Sequence, residues 1–264
     1  MARVTAVRSY SRLSTYLECP ESYYWKYVQR VPEQPSIWSI GGTAFHTCAE
    51  QVMRGDEPDW DAAWQDAYTN VITRDPAAAD LPLDQWRKAN KGTEDAKWWG
   101  WHGPRMVDGF VTWRNSVGAQ LQPLSDGDRL WLETRIEVEL AGVPIVAIPD
   151  ALVTDEHGQL NVLDYKTGKD QRGPGGSLQL GVYKAAVTVA TGMEATWGLY
   201  YMARSKTLVP RDLTAWNVHN IGEMFSEFDA REKAGDYRPN PGKHCNYCPL
   251  KAAKCSYWQE KESI

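Results

Sequence analysis

Two carboxylates and a lysine, Asp150, Asp164 and Lys166, lie in segments whose composition is typical of neighbouring β-strands. Because successive side chains of a strand alternate between its two faces, Asp164 and Lys166 point to one face and Tyr165 points to the other. An acid on one strand, with an acid and an ammonium group on the next, can hold a divalent metal, a water and a phosphate group. A surface hairpin with an ion pair is the alternative. The apolar residues around both acids argue against this alternative, because carboxylates in buried strands are unstable unless they are paired or bound to a metal.

Three consecutive segments with strand character position these residues. Residues 129–140, 143–153 and 159–166 are rich in β-forming residues and are separated by turn signals, so they predict an antiparallel meander. Glu133 and Glu137 share one face of the first segment. They either support the metal site or are simply solvated.

The segment that follows the meander predicts a β-α-β unit. Residues 177–191 have the pattern of a helix, and residues 195–204 have the pattern of a strand. Gln179 and Tyr183 are four residues apart and therefore share one face of the helix. A right-handed crossover places the strand beside the meander, and an amphipathic helix at about 214–234 closes the core.

The N-terminal region is predicted to be helical. Residues 9–31 form two aromatic-rich segments, and Gly41 and Gly42 open a further helix that carries His46. Two adjacent glycines allow the backbone to approach another element closely. A histidine on a helix is, taken alone, more often a surface or capped residue than a ligand. Cys48 points away from His46 and is predicted to be a buried free thiol.

Residues 57–120 form a helical block that is rich in tryptophan. Its pattern predicts two or three helices, and it contains no catalytic constellation. We therefore expect an inserted layer, either a wall over the site or an arch that guides a DNA strand.

The remaining cysteines have the spacing of metal ligands. Cys245, Cys248 and Cys255 follow the pattern C-x2-C-x6-C, and Cys19, which precedes a proline, is the obvious fourth ligand. The pattern lacks the paired C-x2-C knuckles that are common in zinc sites, and a remote fourth cysteine before proline favours an iron–sulfur cluster. Zinc remains the alternative, and His244 is a candidate ligand only in that case.

Composition bounds the class of protein. The chain has 264 residues, 42% of them hydrophobic, and a net charge of −5, which fits one large globular domain without a global basic signal for nucleic acid. The negative net charge argues only weakly against DNA binding, because a local groove can be basic on an acidic protein. No apolar run reaches the roughly 20 residues of a membrane span, and the N-terminus lacks the apolar centre of a signal peptide. We therefore expect a cytoplasmic protein, in the host cytoplasm if a phage encodes it, with reduced cysteines and no membrane association.

Taken together, the motifs resemble those of the PD-(D/E)xK nuclease superfamily, and specifically its RecB-like branch with an iron–sulfur cluster. That branch includes CRISPR-adaptation exonucleases and the nuclease domain of AddB-type recombination proteins, and phages encode close relatives. The resemblance covers nearly the whole chain except residues 57–120. It is carried, in family order, by SRLSTYLECP with Cys19, Gly42-Thr43-Ala44-Phe45-His46, Ile148-Pro149-Asp150, Leu163-Asp164-Tyr165-Lys166, Gln179-Leu180-Gly181-Val182-Tyr183, and Cys245, Cys248 and Cys255.

The resemblance implies an α/β (α+β) fold with a restriction-endonuclease-like core, in which helices flank a central mixed β-sheet. Residues 1–264 would form a single nuclease domain with a helical insertion at 57–120. Residues 1–31 and 236–264 would form an iron–sulfur subdomain that joins both termini.

The resemblance also implies the roles of the site residues. His46, Asp150, Asp164 and the backbone carbonyl of Tyr165 would bind Mg²⁺ or Mn²⁺. Lys166 would position or deprotonate a water or stabilise the phosphate, with Gln179 and Tyr183 holding the lysine, the water or the phosphate. The iron–sulfur ligands of a [4Fe-4S] cluster would be Cys19, Cys245, Cys248 and Cys255.

The implied activity is that of a metal-dependent DNA exonuclease that acts on single-stranded DNA or DNA ends. Recombination, repair, phage DNA processing and CRISPR spacer acquisition would all use this chemistry, and the implied partners beyond DNA are a second copy of the chain or recombination or CRISPR proteins. The alternatives are a non-catalytic nucleic-acid-binding or assembly subunit that keeps the fold and a zinc-stabilised structural protein. The intact set of His46, Asp150, Asp164 and Lys166 argues against both.

Overall fold

The computed structural model describes residues 7–169, 177–246, 248, 250 and 254–262. The strands in chain order are β1 (Arg8–Ser9), β2 (Gln122–Pro123), β3 (Ser125–Asp126), β4 (Arg129–Leu130), β5 (Ile136–Leu140), β6 (Val143–Ala147), β7 (Ala151–Thr154), β8 (Leu160–Lys166), β9 (Trp197–Met202) and β10 (Thr207–Asp212). The α-helices are α1 (Tyr10–Glu18), α2 (Pro20–Tyr23), α3 (Ile37–Arg54), α4 (Trp60–Arg74), α5 (Pro76–Ala79), α6 (Ala96–Arg114), α7 (Leu178–Thr191), α8 (Val218–Lys233) and α9 (Ser256–Glu262). Short 3₁₀ or π turns lie at Tyr24–Val28, Leu83–Gln85, Asn90–Gly92, Val117–Gln120 and Lys243–Asn246.

The central sheet has five strands in the order β10-β9-β8-β7-β2. β8 and β9 are parallel, and the other neighbours are antiparallel, so the sheet is mixed as the sequence predicts. The helix α7 connects the parallel pair, which confirms the β-α-β unit. Its C-terminus is Gly192, whose φ of 74° lies in the left-handed region that favours glycine.

The antiparallel meander predicted from the sequence is wrong as a single sheet. β5 and β6 pair with each other and, together with β1, form a separate three-stranded sheet, whereas β7 and β8 belong to the central one. The predicted strand at 143–153 is interrupted just before β7, where Pro149 has no N–H to donate to a ladder. The predicted strand at 129–140 is interrupted at Glu133, whose φ of 44° is incompatible with extended backbone.

The N-terminal helices agree with the expected pattern. α1 ends at Cys19 and α2 begins at Pro20, a position at which proline suits a helix. The helix α3 starts before the glycine pair that was expected to open it. Gly41 lies inside α3 against the ring of Trp99, where an added Cβ would be 2.2 Å from a ring carbon. Close approach is therefore the reason for this glycine.

The segment 57–120 is helical but less regular than predicted. Asp59 caps α4 by accepting a hydrogen bond from the Ala62 N–H. The residues between Trp86 and Asp95 form no α-helix, although the sequence pattern suggested one. Trp60 packs over Gly103, so these tryptophans serve as core material.

The two faces of β8 belong to two different hydrophobic cores. Leu163 and Tyr165 lie in a core with α3 and α6, and Val162 lies in a core with α7 and α8. Strand alternation therefore directs Asp164 and Lys166 toward α7. In the described part of the chain, no helix has both the length and the apolar character needed to cross a bilayer.

Candidate active site

His46, Glu133 and Asp150 meet at one point beside the central sheet. The Nδ1 atom of His46 lies 3.4 Å from Glu133 Oε1 and 3.3 Å from Asp150 Oδ1. One ligand atom from each of the three residues lies within 4.8 Å of the other two. Among the described residues this is the one group of at least three His, Cys, Asp or Glu side chains that is close enough to hold a single metal ion.

Backbone structure fixes the two acids of this group. Asp150 lies immediately before β7, and its Oδ2 accepts a hydrogen bond of 2.5 Å from the N–H of Tyr165 on β8. The carbonyl of Asp150 accepts a hydrogen bond of 2.9 Å from the N–H of Glu133. The same contact holds the left-handed turn that aims the Glu133 side chain at His46. The interruptions of the predicted strands therefore occur where the acids leave the sheets.

A second group extends from Asp164 on β8 to helix α7. Lys166 Nζ lies 2.5 Å from Asp164 Oδ2 and donates a 3.0 Å hydrogen bond to Gln179 Oε1. Gln179 Nε2 then donates a 2.9 Å hydrogen bond to the hydroxyl of Tyr183. The four side chains form a continuous array from strand β8 to helix α7, as the shared helix face of Gln179 and Tyr183 predicts.

Electrostatics at the site reflect burial of several acids together. Burial raises the pKa of Asp164 to about 7; repulsion from Asp150 adds to this shift, and the charge of Lys166 offsets part of it. Burial also raises the pKa of Glu133, despite its contact with His46. Burial alone would lower the pKa of His46, but the charges of Asp150 and Glu133 outweigh it and hold that pKa well above its usual range. The site thus concentrates negative charge that a cation can neutralise.

Asp164 is deeply buried beside Lys166. Its side chain is about 1% exposed, and its Oδ2 atom has no hydrogen bond of suitable geometry to any described residue, despite the ion pair with Lys166. The buried carboxylate therefore depends on the positive charge of Lys166, and a bound metal ion would add to this stabilisation.

Of the two glutamates left open by the sequence, only Glu133 is part of the site. Glu137 is exposed and forms an ion pair with Arg135. Glu133 was not among the expected ligands because its place depends on a left-handed residue between two strands. The sequence shows only an acidic residue between Leu132 and Thr134. The structure shows that both of these neighbours are buried.

A profile of the PD-(D/E)XK nuclease superfamily matches residues 8–253. The chain belongs to this superfamily. Pro149-Asp150 and Asp164-Tyr165-Lys166 have the order of residues after which it is named, and both lie in the site described above.

Two phage proteins resemble this nuclease over almost their whole length. The Gene 69 protein of Mycobacterium phage L5 is 31% identical over 288 aligned positions, which cover 92% of this chain and 94% of the relative. The Gene 69 protein of Mycobacterium phage D29 is 32% identical over 273 positions with the same coverage. A crystal structure of a protein from Eubacterium rectale described as a candidate exonuclease aligns with 98% of this chain and 94% of its own, with a TM-score of 0.48 and 11% identity.

The nuclease also brings the four expected cysteines to one place. Cys19, Cys245, Cys248 and Cys255 all line a small cavity between the N-terminal helices and the C-terminal segment. No three of these described thiols lie within 4.8 Å of one another. His244 lines the same cavity. Cys48 is fully buried elsewhere, as predicted.

Hydrogen bonds already join the two ends of the chain around this cavity. Glu21 Oε1 accepts a 2.9 Å hydrogen bond from the Ser256 N–H, and Glu21 Oε2 lies 3.4 Å from the thiol of Cys255. Asn240 donates a 2.9 Å hydrogen bond to the carbonyl of Glu18. The cysteines therefore lie on segments that contact each other directly.

Proposed function

We propose that this nuclease is a divalent-metal-dependent deoxyribonuclease that hydrolyses phosphodiester bonds from DNA ends. The observation that carries the proposal is the meeting of His46, Glu133 and Asp150 within 4.8 Å, beside the array that contains Asp164 and Lys166. Three ligands from separate elements next to a lysine suit a phosphodiester, whose negative charge needs both a dication and an ammonium group.

The residues present fit a hard or borderline dication. Asp150, Asp164 and Glu133 supply carboxylate oxygens, which suit Mg²⁺ and Mn²⁺, and the imidazole of His46 makes Mn²⁺ especially suitable. The burial of Asp164 beside Asp150 supports its role as a ligand, and the backbone carbonyl of Tyr165 is proposed as a further one. When bound, the metal lowers the pKa of a coordinated water and neutralises charge on the scissile phosphate.

Lys166 is proposed to position the attacking water and to stabilise the charge that develops on the phosphate. Its ammonium group has three protons. Two of them are directed to Asp164 and Gln179, so the third remains for a water or a phosphate oxygen. The lysine thus has a fixed direction instead of the freedom of a long exposed side chain.

Gln179 and Tyr183 are proposed to hold Lys166 in this position. Because the amide oxygen of Gln179 accepts from the lysine and its amide nitrogen donates to Tyr183, one orientation of the amide satisfies both contacts. Burial raises the pKa of Tyr183, so its hydroxyl stays protonated at neutral pH. The pair therefore acts on the substrate through the lysine.

The cysteine cavity is proposed to hold a [4Fe-4S] cluster. Four thiols are the donor set of such a cluster. A single tetrahedral zinc, with Zn–S bonds of about 2.3 Å, requires its sulfur ligands to lie about 3.8 Å from one another, whereas no three of the described thiols lie within 4.8 Å of one another. Four iron atoms hold their ligands farther apart than one zinc. This supports assignment to the RecB-like branch and a subdomain made from 1–31 and 236–264.

The biological role is proposed to be the processing of DNA ends by a phage, in recombination or repair. The phage origin of the two Gene 69 relatives supports this context. The complete set of proposed ligands favours an active enzyme over a subunit that only binds nucleic acid.

Digestion of end-labelled single-stranded and double-stranded DNA with Mg²⁺ or Mn²⁺ tests the proposal. Linear DNA should be degraded progressively, and covalently closed circles should remain intact. Asp150→Asn should abolish degradation, whereas Asp155→Asn, which lies in the turn before β8, should have no effect. Cleavage of closed circles would show an endonuclease, and absence of any metal-dependent cleavage would leave the nucleic-acid-binding subunit as the function.

A further inference from the structure

A groove of about 640 Å³ opens at the end of β8. One wall is the irregular segment between α5 and α6, and the other is the chain that leaves β8. Thr167, the residue after Lys166, lines the groove. The groove is therefore connected to the proposed active site through the end of β8, with Thr167 one residue beyond Lys166.

The groove is strongly basic although the chain as a whole is acidic. Its lining contains one carboxylate, Glu94, and five cations, which are Arg87, Lys88, Lys91, Lys169 and Arg204. Glu94 is engaged by Arg204 through two hydrogen bonds of 2.9 and 2.8 Å. The other four cations form no ion pair with a carboxylate of any described residue. In a protein with a net charge of −5, such a concentration of positive charge creates a local field that attracts a polyanion.

Direct contacts fix the shape of the groove. Arg204 Nε donates a 2.7 Å hydrogen bond to the carbonyl of Thr167, which joins the Glu94–Arg204 pair to the end of β8. Across the groove, Lys169 Nζ lies 3.3 Å from Asn90 Oδ1. The two walls are therefore linked on both sides of the opening.

The backbone at the rim has an unusual conformation. Asn90 and Lys91 have φ values of 49° and 57°, and Gly92 follows with 90°. Left-handed backbone is unfavourable for lysine and is found where the surrounding structure requires it, often at binding sites. Here it presents Lys91 at the rim, where the side chain is exposed.

Aromatic rings support two of the arginines. The guanidinium of Arg87 lies 5.0 Å from the ring centre of Trp38, and that of Arg204 lies 4.6 Å from the ring centre of Trp98. Guanidinium groups held over aromatic rings form flat surfaces on which nucleic-acid bases stack. A groove for a simple anion would not need such surfaces.

We propose that this basic groove binds a single-stranded segment of DNA and leads it to or from the active site. The inference rests on the proposed nuclease function and extends it to the form of the substrate and the residues that select it. A volume of about 640 Å³ corresponds to one or two nucleotides of a single strand. Lys88 and Lys91 contact phosphates, and Arg87 contacts a base or a phosphate.

A second hollow of about 300 Å³ continues the path of the strand. Arg87 lines both. The second hollow is also lined by Lys254, whose Nζ lies 4.9 Å from the ring centre of Trp25, and by Lys26 in an ion pair with Glu33. This hollow extends toward the cysteine cavity. Longer oligonucleotides should therefore bind more tightly until both hollows are filled.

The test compares two double variants that lose the same charge. Lys88→Gln/Lys91→Gln removes two groove cations, and Arg74→Gln/Lys97→Gln removes two exposed cations that do not line the groove. Fluorescence anisotropy measures the binding of labelled oligothymidylate with Ca²⁺ as the divalent ion, over a range of salt concentrations. The groove variant should bind about tenfold or more weakly, and the slope of log K against log salt should fall in magnitude by about 1.4, because each single-strand phosphate contact contributes about 0.7.

Three outcomes of the oligothymidylate experiment would overturn the groove proposal. They are an absence of oligothymidylate binding by the unmodified protein, an unchanged salt slope in the groove variant, and equal weakening in the two double variants. Binding of a blunt duplex provides a further comparison, because the groove variant should lose less affinity for it than for the single strand. An equal loss for both DNA forms would also contradict a single-strand groove.

Hydrolysis of bis(4-nitrophenyl) phosphate with Mn²⁺ separates this proposal from the proposed function. This small phosphodiester needs only the active site, so both double variants should hydrolyse it at the rate of the unmodified protein. If no protein hydrolyses it or DNA, the nuclease proposal fails while the binding experiment still decides the groove. If only the groove variant loses this activity, the two lysines belong to the active site and the groove proposal fails.

Discussion

The proposed catalytic centre takes its side chains from helix α3, the central strand β8 and the chain breaks beside the sheets, whereas the cysteine cavity takes them from both ends of the chain. Asp164 and Lys166 lie on β8, the most central strand, and His46 lies well inside α3. The cysteines lie between α1 and α2 and in the irregular segment that follows α8. The first arrangement is fixed by the sheet and its covering helices, and the second depends on contacts such as that between Glu21 and Ser256.

This difference predicts that the two centres can be lost independently. A substitution in the catalytic centre should change chemistry and leave stability nearly unchanged, because the surrounding cores remain intact. A substitution in the cysteine cavity should change stability and colour and leave the chemistry of the folded protein unchanged. Substitutions in each centre test this separation.

The largest expected effect is that of Lys166→Ala on catalysis. Loss of the ammonium group removes both the positioning of the water and the charge that faces the phosphate, so DNA hydrolysis should fall by about 10³-fold or more. The thermal unfolding midpoint and the visible absorption should match those of the unmodified protein. Lys97→Ala serves as the control with the same change in an exposed lysine. Full metal-dependent activity of Lys166→Ala would refute the proposed mechanism.

The next effect is that of Cys19→Ala on stability. If the cysteines bind a [4Fe-4S] cluster, anaerobically purified protein is brown and the variant is colourless. By analogy with a disulfide that closes a loop of similar length, the loss of this link should lower the free energy of unfolding by roughly 4–5 kcal/mol. Absorption spectra, iron and sulfide content and denaturant unfolding measure these changes.

Cys48→Ala is the matched control, because Cys48 is buried but does not line the cysteine cavity. It should retain the colour. A colourless unmodified protein that contains stoichiometric zinc would reject the cluster. Loss of DNA hydrolysis in Cys19→Ala at a temperature at which it remains folded would contradict the independence of the two centres.

A smaller effect is expected along the array that holds the lysine. Gln179→Leu removes the acceptor of Lys166 and should lower kcat by about 10- to 100-fold, in the range of residues that orient a catalytic group. Tyr183→Phe removes only the outer hydrogen bond and should lower kcat by a few-fold. KM for DNA should change little in both, since neither residue is proposed to contact DNA.

Tyr201→Phe is the control for the tyrosine. Its hydroxyl is buried and has no hydrogen-bond partner among the described residues, so its removal should not affect catalysis. A larger loss in Tyr183→Phe than in Gln179→Leu would show that Tyr183 acts directly on the substrate. A higher kcat in Gln179→Glu than in Gln179→Leu would support the positioning role, because glutamate keeps an acceptor for the lysine.

The parts of the site that the sequence could predict are those set by local periodicity. The common direction of Asp164 and Lys166 follows from strand alternation, and the shared face of Gln179 and Tyr183 follows from helix geometry. Both patterns remain informative because β8 and α7 are long, regular and buried. The position of His46 followed only from the resemblance, since nothing local distinguishes it from a surface histidine.

The parts that could not be predicted depend on which strands pair. Continuous β-forming composition from 129 to 153 conceals the two points at which the chain leaves a sheet. One of them is Pro149, whose missing N–H was a usable signal, and the other is Glu133, whose left-handed conformation is set by tertiary contacts. The break at Glu133 also explains why its role as a candidate ligand was left open. Its hydrogen bond to the Asp150 carbonyl joins residues that no local pattern connects.

The smallest expected effect concerns the pH dependence of the metal-free protein. Burial and repulsion from Asp150 raise the pKa of Asp164 from 3.8 to about 7 on folding. The folded state therefore binds a proton that the unfolded state lacks between these values. The stability contributed by this group is complete below pH 3.8 and is lost as the pH rises through about 7, with a slope of at most about 1.4 kcal/mol per pH unit. The raised pKa of His46 affects stability at higher pH, because the contribution of this group to the free energy of unfolding begins to fall only above pH 6.5.

Denaturant unfolding of the metal-free protein at about pH 4.5 and pH 6.5 isolates the contribution of Asp164. The free energy of unfolding of the unmodified protein should fall relative to that of Asp164→Asn as the pH rises over this interval, because asparagine cannot release a proton. Mg²⁺ or Mn²⁺ supplies the missing positive charge, so it should stabilise the unmodified protein more at the higher pH and stabilise the variant weakly at both. Parallel pH profiles for the two proteins would show that Asp164 is ionised throughout this interval. The proposed catalytic centre would then keep its negative charges without a metal ion, just as hydrogen bonds hold together the segments around the cysteine cavity.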